Sequence, residues 1–341
     1  MPEGHTVHRL ARTFTSLFAG QVLHVSSPQG RFADGAAVLD GRRLVASEAW
    51  GKQLFLGFVP ADAPDAQVTG MAPEPETVWL RTHLGLYGAW TFAGAPDAPE
   101  VAHAIGAPRR RIGERDSLPA PGSSDPQAAG ALHASDTWAV PEPRGQVRVR
   151  LLGAHAVADL TGPTACEVIT AEEKRAVEAR LGPDPIRDDG DAEAFVAAVG
   201  RSRVTIGQQL MDQAVVAGVG NIYRAEALFR AGVDPLRPGR DVPATSVRAI
   251  WDDLVVLMRD GADHGAIVTT RPEDRGLPDP SDGGRPARTR QNTDGAPGAV
   301  PSDQAFYVYH REGLPCRVCG TPVLVKELAG RNLFWCGTCQ T

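Results

Sequence analysis

Residue types able to do covalent chemistry sit at both ends of this chain. Pro2 follows Met1 and precedes Glu3. Trimming of the methionine would leave a secondary amine, and an α-amine with a pKa of about 8 is partly neutral and nucleophilic at cellular pH. A lysine, at about 10.4, needs tuning to match it. Attack of such an amine on an aldehyde carbon gives a permanently positive iminium, an electron sink, and Glu3 stands beside it to move protons. Met-Pro-Glu also opens many inert chains, so these residues alone leave that alternative open. At the other end, Cys316-Arg-Val-Cys319 and Cys336-Gly-Thr-Cys339 are two C-x-x-C pairs with 16 residues between them. Each pair offers two thiolates to one tetrahedral ion, the pattern of a structural zinc ribbon, with two disulfides as the alternative. Neither a secretory leader nor an apolar run of about 18 residues is evident, so no membrane span and a reducing, cytoplasmic setting are expected. Cys166 has no partner pair and reads as a small buried apolar residue.

These groups need elements to hold them. Val7, Leu10, Phe14, Leu17 and Phe18 fall on one face of a helix over residues 5–19, closed by Gly20. That helix would hold the amino terminus against a core. Strand patterns follow at 22–25, 43–45, 54–58, 78–84, 89–92, 147–152 and 156–160, with Gly30, Gly35 and Gly41 as turns. Many short strands with glycine turns predict a β-sandwich. Residues 61–76 read as an exposed loop, and 94–143, poor in large apolar side chains, as a largely disordered insertion carrying Arg109-Arg110-Arg111. Helices are expected at 193–199, 206–213, 223–231 and 247–258. Between two of them, Gly218-Val219-Gly220-Asn221 would turn the backbone and present amides suited to a phosphate oxygen, with Asn221 capping the next helix or reaching the phosphate. A tight helical hairpin is the plainer alternative. The class is therefore α+β and multi-domain: 1–160 a sandwich with flanking helices, 161–190 a linker, 191–271 helical, 272–303 a flexible loop with Arg285, Arg288 and Arg290, and 304–341 the ribbon.

The 341 residues suffice for several cores, and the 42% hydrophobic and 22% charged fractions are ordinary for a soluble protein. A net charge of −6 excludes a general polycation. From Ala305 onward, however, Arg311, Arg317, Lys326 and Arg331 outnumber Glu312 and Glu327, leaving room for a local basic groove.

The order of these modules resembles the formamidopyrimidine-DNA glycosylase and endonuclease VIII family over nearly the whole chain except the two insertions. It looks closest to actinobacterial endonuclease VIII, judging by Met1-Pro2-Glu3-Gly4-His5-Thr6 and Gly330-Arg331-Asn332-Leu333-Phe334-Trp335-Cys336. Met211-Asp212-Gln213 and Gly218-Val219-Gly220-Asn221-Ile222-Tyr223-Arg224 look like the family's helix–two-turns–helix signature. The resemblance implies a bifunctional glycosylase and abasic-site lyase, a hydrolase and lyase of base excision repair. Pro2 would attack C1′, Glu3 would protonate the sugar oxygen, and Lys52 would contact a phosphate and assist β-elimination. Arg331, at the ribbon's hairpin tip, would grip phosphates for δ-elimination, and Asn221 would hold one beside it. Leu86 and Tyr87 would fill the gap left by the flipped base, the alternative being that both are sandwich core. Zinc held by Cys316, Cys319, Cys336 and Cys339 would be structural. Damaged double-stranded DNA is the expected partner of a monomer that needs no diffusible cofactor.

Three departures bear on substrate. His5 and Thr6 stand where the family often has an acid. Gly207 stands where the guanine-lesion branch often has a basic residue. Asp159-Leu160-Thr161-Gly162-Pro163-Thr164, matched to that branch's base-probing loop, lacks its arginine–phenylalanine pair. The last favours oxidised pyrimidines such as thymine glycol, while the first bears on proton handling near Pro2 and the second on DNA affinity. An 8-oxoguanine glycosylase of the sister branch and a non-catalytic damage-binding protein are the competing readings.

Overall fold

The computed structural model describes residues 2–63, 77–99, 104–106, 138–275, 300 and 303–341. Helix α1 (Gly4–Phe18) buries Val7, Leu10, Phe14, Leu17 and Phe18 along one stripe, as their spacing requires. Phe14 meets Trp90 and Phe92 edge-on, at ring centroids of 4.8 and 5.5 Å. Strands β1 (Val22–Ser26), β2 (Arg42–Trp50), β3 (Gln53–Val59), β4 (Val78–His83), β5 (Ala89–Gly94), β6 (Ala104–Gly106), β7 (Val147–Leu152), β8 (Ala156–Thr161) and β9 (Ala165–Thr170) build a sheet in the order β6-β5-β8-β7-β1-β2-β3-β4-β9. Every pair is antiparallel. β1 pairs with β2 through Val22 and Leu23, and with β7 through His24, Val25 and Ser26. The sheet folds over there. Leu54, Phe58 and Leu80 from one half share a single apolar core with Trp90, Val149 and Leu160 from the other, and α1 packs into it. The expected sandwich thus takes the form of one sheet folded on itself.

The structure differs from the sequence reading in places where the hydrophobic signal is short. Residues 33–39, read as turn between strands, form α2 (Ala33–Leu39), a seven-residue helix that buries only Ala36 and Leu39. The stretch 161–190 is more than a linker. Its β9 completes the sheet beside β4, and α3 (Ala171–Glu178) follows through a capping box of Thr170 and Glu173. Within 94–143, Ala104–Gly106 pairs with β5 and sends Ile105 into the core, so part of that stretch belongs to the sandwich. Arg109-Arg110-Arg111 lie outside the described residues. In 272–303, Pro272–Asp274 form a single 3-10 turn, and Arg285, Arg288 and Arg290 lie outside the described residues.

The helical part comprises α4 (Ala192–Gly200), α5 (Ile206–Gln209), α6 (Asn221–Arg230) and α7 (Ala244–His264) around Phe195, Ile206, Leu210, Tyr223, Leu228, Ile250, Trp251 and Leu254. The helix expected through Gln213 stops at Gln209. Asp212 turns the chain instead, its carboxylate accepting the Ala214 amide at 2.9 Å. The ribbon pairs β10 (Leu324–Leu328) with β11 (Arg331–Trp335) through Ala329 and Gly330, both at positive φ, the geometry of a tight hairpin. It is tied to α6 by the buried Glu226. That carboxylate accepts the amides of Tyr307, Val308 and Tyr309 at 2.8–2.9 Å and the Thr269 hydroxyl.

Candidate active site

The turn at residues 217–220, just ahead of α6, gathers the amino-terminal groups. Gly4 N–H donates to the Gly218 carbonyl at 2.8 Å, which fixes the start of α1 against the helical domain. Pro2 is buried and Glu3 has no exposed surface. The Glu3 carboxylate accepts the Gly220 and Ile222 amides at 2.8 Å each and the Tyr223 amide at 3.4 Å. These are free donors of the first turn of α6, at the positive end of its dipole. This corrects part of the expectation that the glycine turn presents its amides to a phosphate: the Gly220 amide is held by Glu3, and the Gly218 amide donates to Gln213 Oε1 at 3.0 Å. Gly220 is required for that fit, since a Cβ there would lie 2.4 Å from the Glu3 Cδ. Burial raises the Glu3 pKa above the ordinary carboxylate range, opposed by Lys52 and by the amides of Ile222 and Tyr223. A carboxyl raised in this way is the better proton donor near neutrality.

Lys52 sits at the β2–β3 hairpin tip and donates from Nζ to the Val219 carbonyl at 2.8 Å. Burial lowers its pKa against the pull of Glu3, and the positive charge of Arg331 lowers it further. Burial, and after it the charges of Lys52 and Arg81, lower the pKa of His83, which β4 pairs with Gln53 beside the same tip. The turn 85–87 leaves β4 at that end of the sheet. It carries Leu86 at 43% and Tyr87 at 81% exposure, so neither is core, while Leu84 beneath them is buried.

Arg331 is exposed at the start of β11, close enough for its charge to act on Lys52 and Arg224. Asn221 is not the cap of α6; Gly220 is, without a side-chain bond. Asn221 instead donates from Nδ2 to the Asn332 carbonyl at 3.0 Å and accepts from Arg224. Arg224, fully buried, donates to the same carbonyl at 3.0 Å and to that of Gly207. Burial brings its pKa down to about 10. Pro2, Glu3, Lys52, Asn221 and Arg331 thus come from three parts of the chain to one locality, with Leu86 and Tyr87 projecting from the same end of the sheet as Lys52. Sequence reasoning missed Arg224 and the Val219 carbonyl. The motif around residues 218–224 marked the place but not the partners.

Two further placements bear on the expectations. His5 is buried against Tyr223 and shares a hydrogen bond with Thr6, and burial pushes its pKa down to about 3. It is a neutral packing residue that does not replace an acid. Asp159, Leu160 and Thr161 lie within β8, with Asp159 bound bidentately by Arg150 at 2.8 and 3.0 Å, while Gly162, Pro163 and Thr164 form the connection to β9, where the Thr164 N–H donates to the His83 carbonyl at 2.8 Å beside the 85–87 turn.

The four ribbon sulfurs lie within 4.8 Å of one another, with Cys319–Cys336 at 3.4 Å and Cys316–Cys339 at 3.9 Å. A tetrahedron with Zn–S bonds of about 2.3 Å has edges of about 3.8 Å, while a disulfide needs about 2.05 Å. The cysteines are unbridged and fit one zinc ion, and with four protein ligands such a site is structural. Cys166 is a half-buried residue of β9. Among the described residues no helix is long and apolar enough to cross a membrane.

Residues 1–110 match the family description "Formamidopyrimidine-DNA glycosylase N-terminal domain". Residues 181–272 match "Formamidopyrimidine-DNA glycosylase H2TH domain", and residues 313–341 match "Zinc finger found in FPG and IleRS". The chain is 41% identical to Endonuclease 8 1 of Mycobacterium tuberculosis over 342 residues, covering 100% of both proteins. It is 35% identical to the formamidopyrimidine-DNA glycosylase of Thermus thermophilus over 161 residues, 47% of this chain and 54% of that protein. Its fold resembles the Thermus thermophilus MutM (Fpg) structure, with a TM-score of 0.61 at 22% identity over 99% and 98% of the two chains. It also resembles Lactococcus lactis Fpg complexed with abasic-site DNA, with a TM-score of 0.63 at 17% identity over 99% of both.

Proposed function

The chain belongs to the formamidopyrimidine-DNA glycosylase and endonuclease VIII family of DNA glycosylases with abasic-site lyase activity, and from that membership we propose that Pro2 is its nucleophile, acting on oxidised pyrimidines in duplex DNA. The observation that carries this reading is the Glu3 carboxylate seated on the α6 amides, one residue from Pro2 and within the field of Lys52. The flipped nucleotide's base leaves as its C1′–N bond breaks and the Pro2 nitrogen bonds C1′. Glu3 gives its proton to the ring oxygen, which opens the sugar and leaves an iminium. Loss of a C2′ proton then expels the 3′ phosphate, and a second elimination expels the 5′ phosphate. Hydrolysis of the remaining iminium returns the free amine. Lys52, beside Glu3, moves protons during elimination.

Arg331 grips the phosphates flanking the lesion with a bidentate guanidinium. Asn221 keeps one amide hydrogen for a phosphate while the other holds the ribbon. The exposed Leu86 and Tyr87 fill the vacated stack. The ribbon's zinc holds the hairpin that presents Arg331 and takes no part in these steps. As domains, the sandwich extends from the amino terminus past residue 160 through β9, and the helix–two-turns–helix part is taken as 191–271 and the ribbon as 304–341. The protein acts as a cytoplasmic monomer on the nucleoid. Preference for pyrimidines over 8-oxoguanine is supported by identity along the full length to proteins named endonuclease 8.

Incubation with an abasic-site duplex and borohydride tests the nucleophile. A covalent adduct is expected from the wild type and none from Pro2→Gly; full trapping by that variant would refute Pro2. Cleavage of thymine glycol and 8-oxoguanine duplexes side by side separates the two branches, and faster 8-oxoguanine cleavage would reverse the lesion assignment.

A further inference from the structure

Asp184 is 1% exposed and lies in the segment joining the sandwich to the helical domain. Its Oδ2 accepts two hydrogen bonds, from His8 Nε2 at 2.8 Å and from the Gly51 amide at 2.7 Å. Its Oδ1 accepts the Ile186 amide at 2.9 Å. A buried carboxylate is costly unless its oxygens are satisfied, and here the donors come from α1, from the tip of the β2–β3 hairpin and from its own loop. Gly51 immediately precedes Lys52. Its φ of +59° suits glycine, and a Cβ there would lie 2.9 Å from that of Ala217 and 3.0 Å from the Gly218 nitrogen. The hairpin tip is therefore pressed onto the turn whose Val219 carbonyl receives Lys52. The same loop holds the preceding residues as well. Trp50 Nε1 donates to the Gly182 carbonyl at 3.0 Å, and the Arg187 guanidinium lies 4.4 Å from the centre of the Trp50 ring. Asp184 is the charged side chain that takes the Gly51 amide, while Arg187 Nη1 donates to the Ala49 carbonyl further down the hairpin at 3.4 Å.

We propose that Asp184, itself braced by His8, is a positioning residue that fixes the Gly51 amide and through it the placing of Lys52 for elimination. This rests on the role given to Lys52 above. Neither Asp184 nor His8 touches the reacting atoms; each acts through the backbone of the hairpin.

The test is a double-variant cycle on the full-length, zinc-loaded protein. Strand cleavage of a preformed abasic-site duplex is followed in single turnover, and affinity is read with a duplex carrying a tetrahydrofuran abasic analogue. Asp184→Asn keeps the shape but turns an amide group toward an N–H donor. It should slow cleavage by roughly 10- to 100-fold with affinity unchanged, the scale of a misplaced catalytic group. Asp184→Asn combined with Lys52→Ala should be no slower than Lys52→Ala alone, because the two act through one path. Full speed in Asp184→Asn, losses that multiply in the double variant, or an equal loss of affinity would each overturn the proposal. Full speed in Lys52→Ala would instead remove the role of Lys52 itself, and is told apart because it needs no change at Asp184. Should Asp184→Asn fail to fold, His8→Leu removes one donor at the same oxygen: slowed cleavage with intact affinity supports the proposal, and full speed overturns it.

Discussion

Buried carboxylates mark the joints of this molecule, and each is matched to a specific set of donors. Glu3 and Glu226 both collect backbone amides from the segment they hold. His5 has no such compensation, because its Nδ1 is buried without a partner, and it remains neutral in the fold. This has a pH consequence. The unfolded chain protonates His5 near its ordinary value of 6.5, whereas the folded chain resists protonation down to about 3. Between those values the unfolded state binds more protons, so the stability from this group is present above pH 6.5 and is lost as pH falls. At pH 5 the loss is about 2 kcal/mol relative to pH 8. Urea unfolding at the two pH values should show His5→Phe losing less stability than the wild type; an identical loss would exclude His5 as the cause. Pro2 and Glu3 became candidates only through the order of modules around them, while the four cysteines were legible from their spacing. The burial of His5 was not, since one histidine near the chain start looks the same whether it packs or reacts.

At the scale of elements, the beginning of α6 carries the most consequence. The Gly220 amide, which a sequence reading offers to a phosphate, is taken by a carboxylate 217 positions earlier. No local pattern encodes such a contact, and only the docking of α1 on the helical domain creates it. Gly220 has φ −123°, a value any residue adopts, so its substitution acts through space alone. Gly220→Ala should displace the Glu3 carboxyl and lower base excision by about 100-fold, as expected when a catalytic group shifts by an ångström. The ribbon's zinc content and duplex affinity should stay as in the wild type. Normal excision rates in that variant would mean that the Glu3 seat is irrelevant to chemistry. The long amphipathic helices and strands were readable from their period. Helix α2 and strand β9 were not, because seven and six residues with few buried positions leave too weak an apolar pattern.

For the whole molecule, the ribbon shares a small core with the helical domain, in which Val323 and Phe334 pack with Ala225 and Phe229 of α6. It is held through the Asn332 carbonyl, through Glu226, and through Thr341 N–H donating to Gly232 at 3.1 Å. Too few apolar residues lie between its cysteines to fold it without metal, and zinc binding supplies on the order of 10 kcal/mol to such modules. Stripping the zinc with a chelator, or Cys316→Ser, should release one ion and weaken duplex binding at least about tenfold, because the hairpin presenting Arg331 is lost. Gel-shift titration beside a zinc assay would decide this, and unchanged binding after loss of the metal would show the ribbon to be dispensable.

The turn at residues 217–220 receives Gly4, Glu3, Gly51 and Lys52, all from the other core. The sandwich and the helical part each have an apolar interior of their own. During refolding, tryptophan emission should therefore recover as each half condenses, while the capacity to form an adduct with abasic DNA returns only afterwards, when the halves meet. Catalytic competence is the last property this chain acquires on folding and the first it surrenders when the seam between its halves opens.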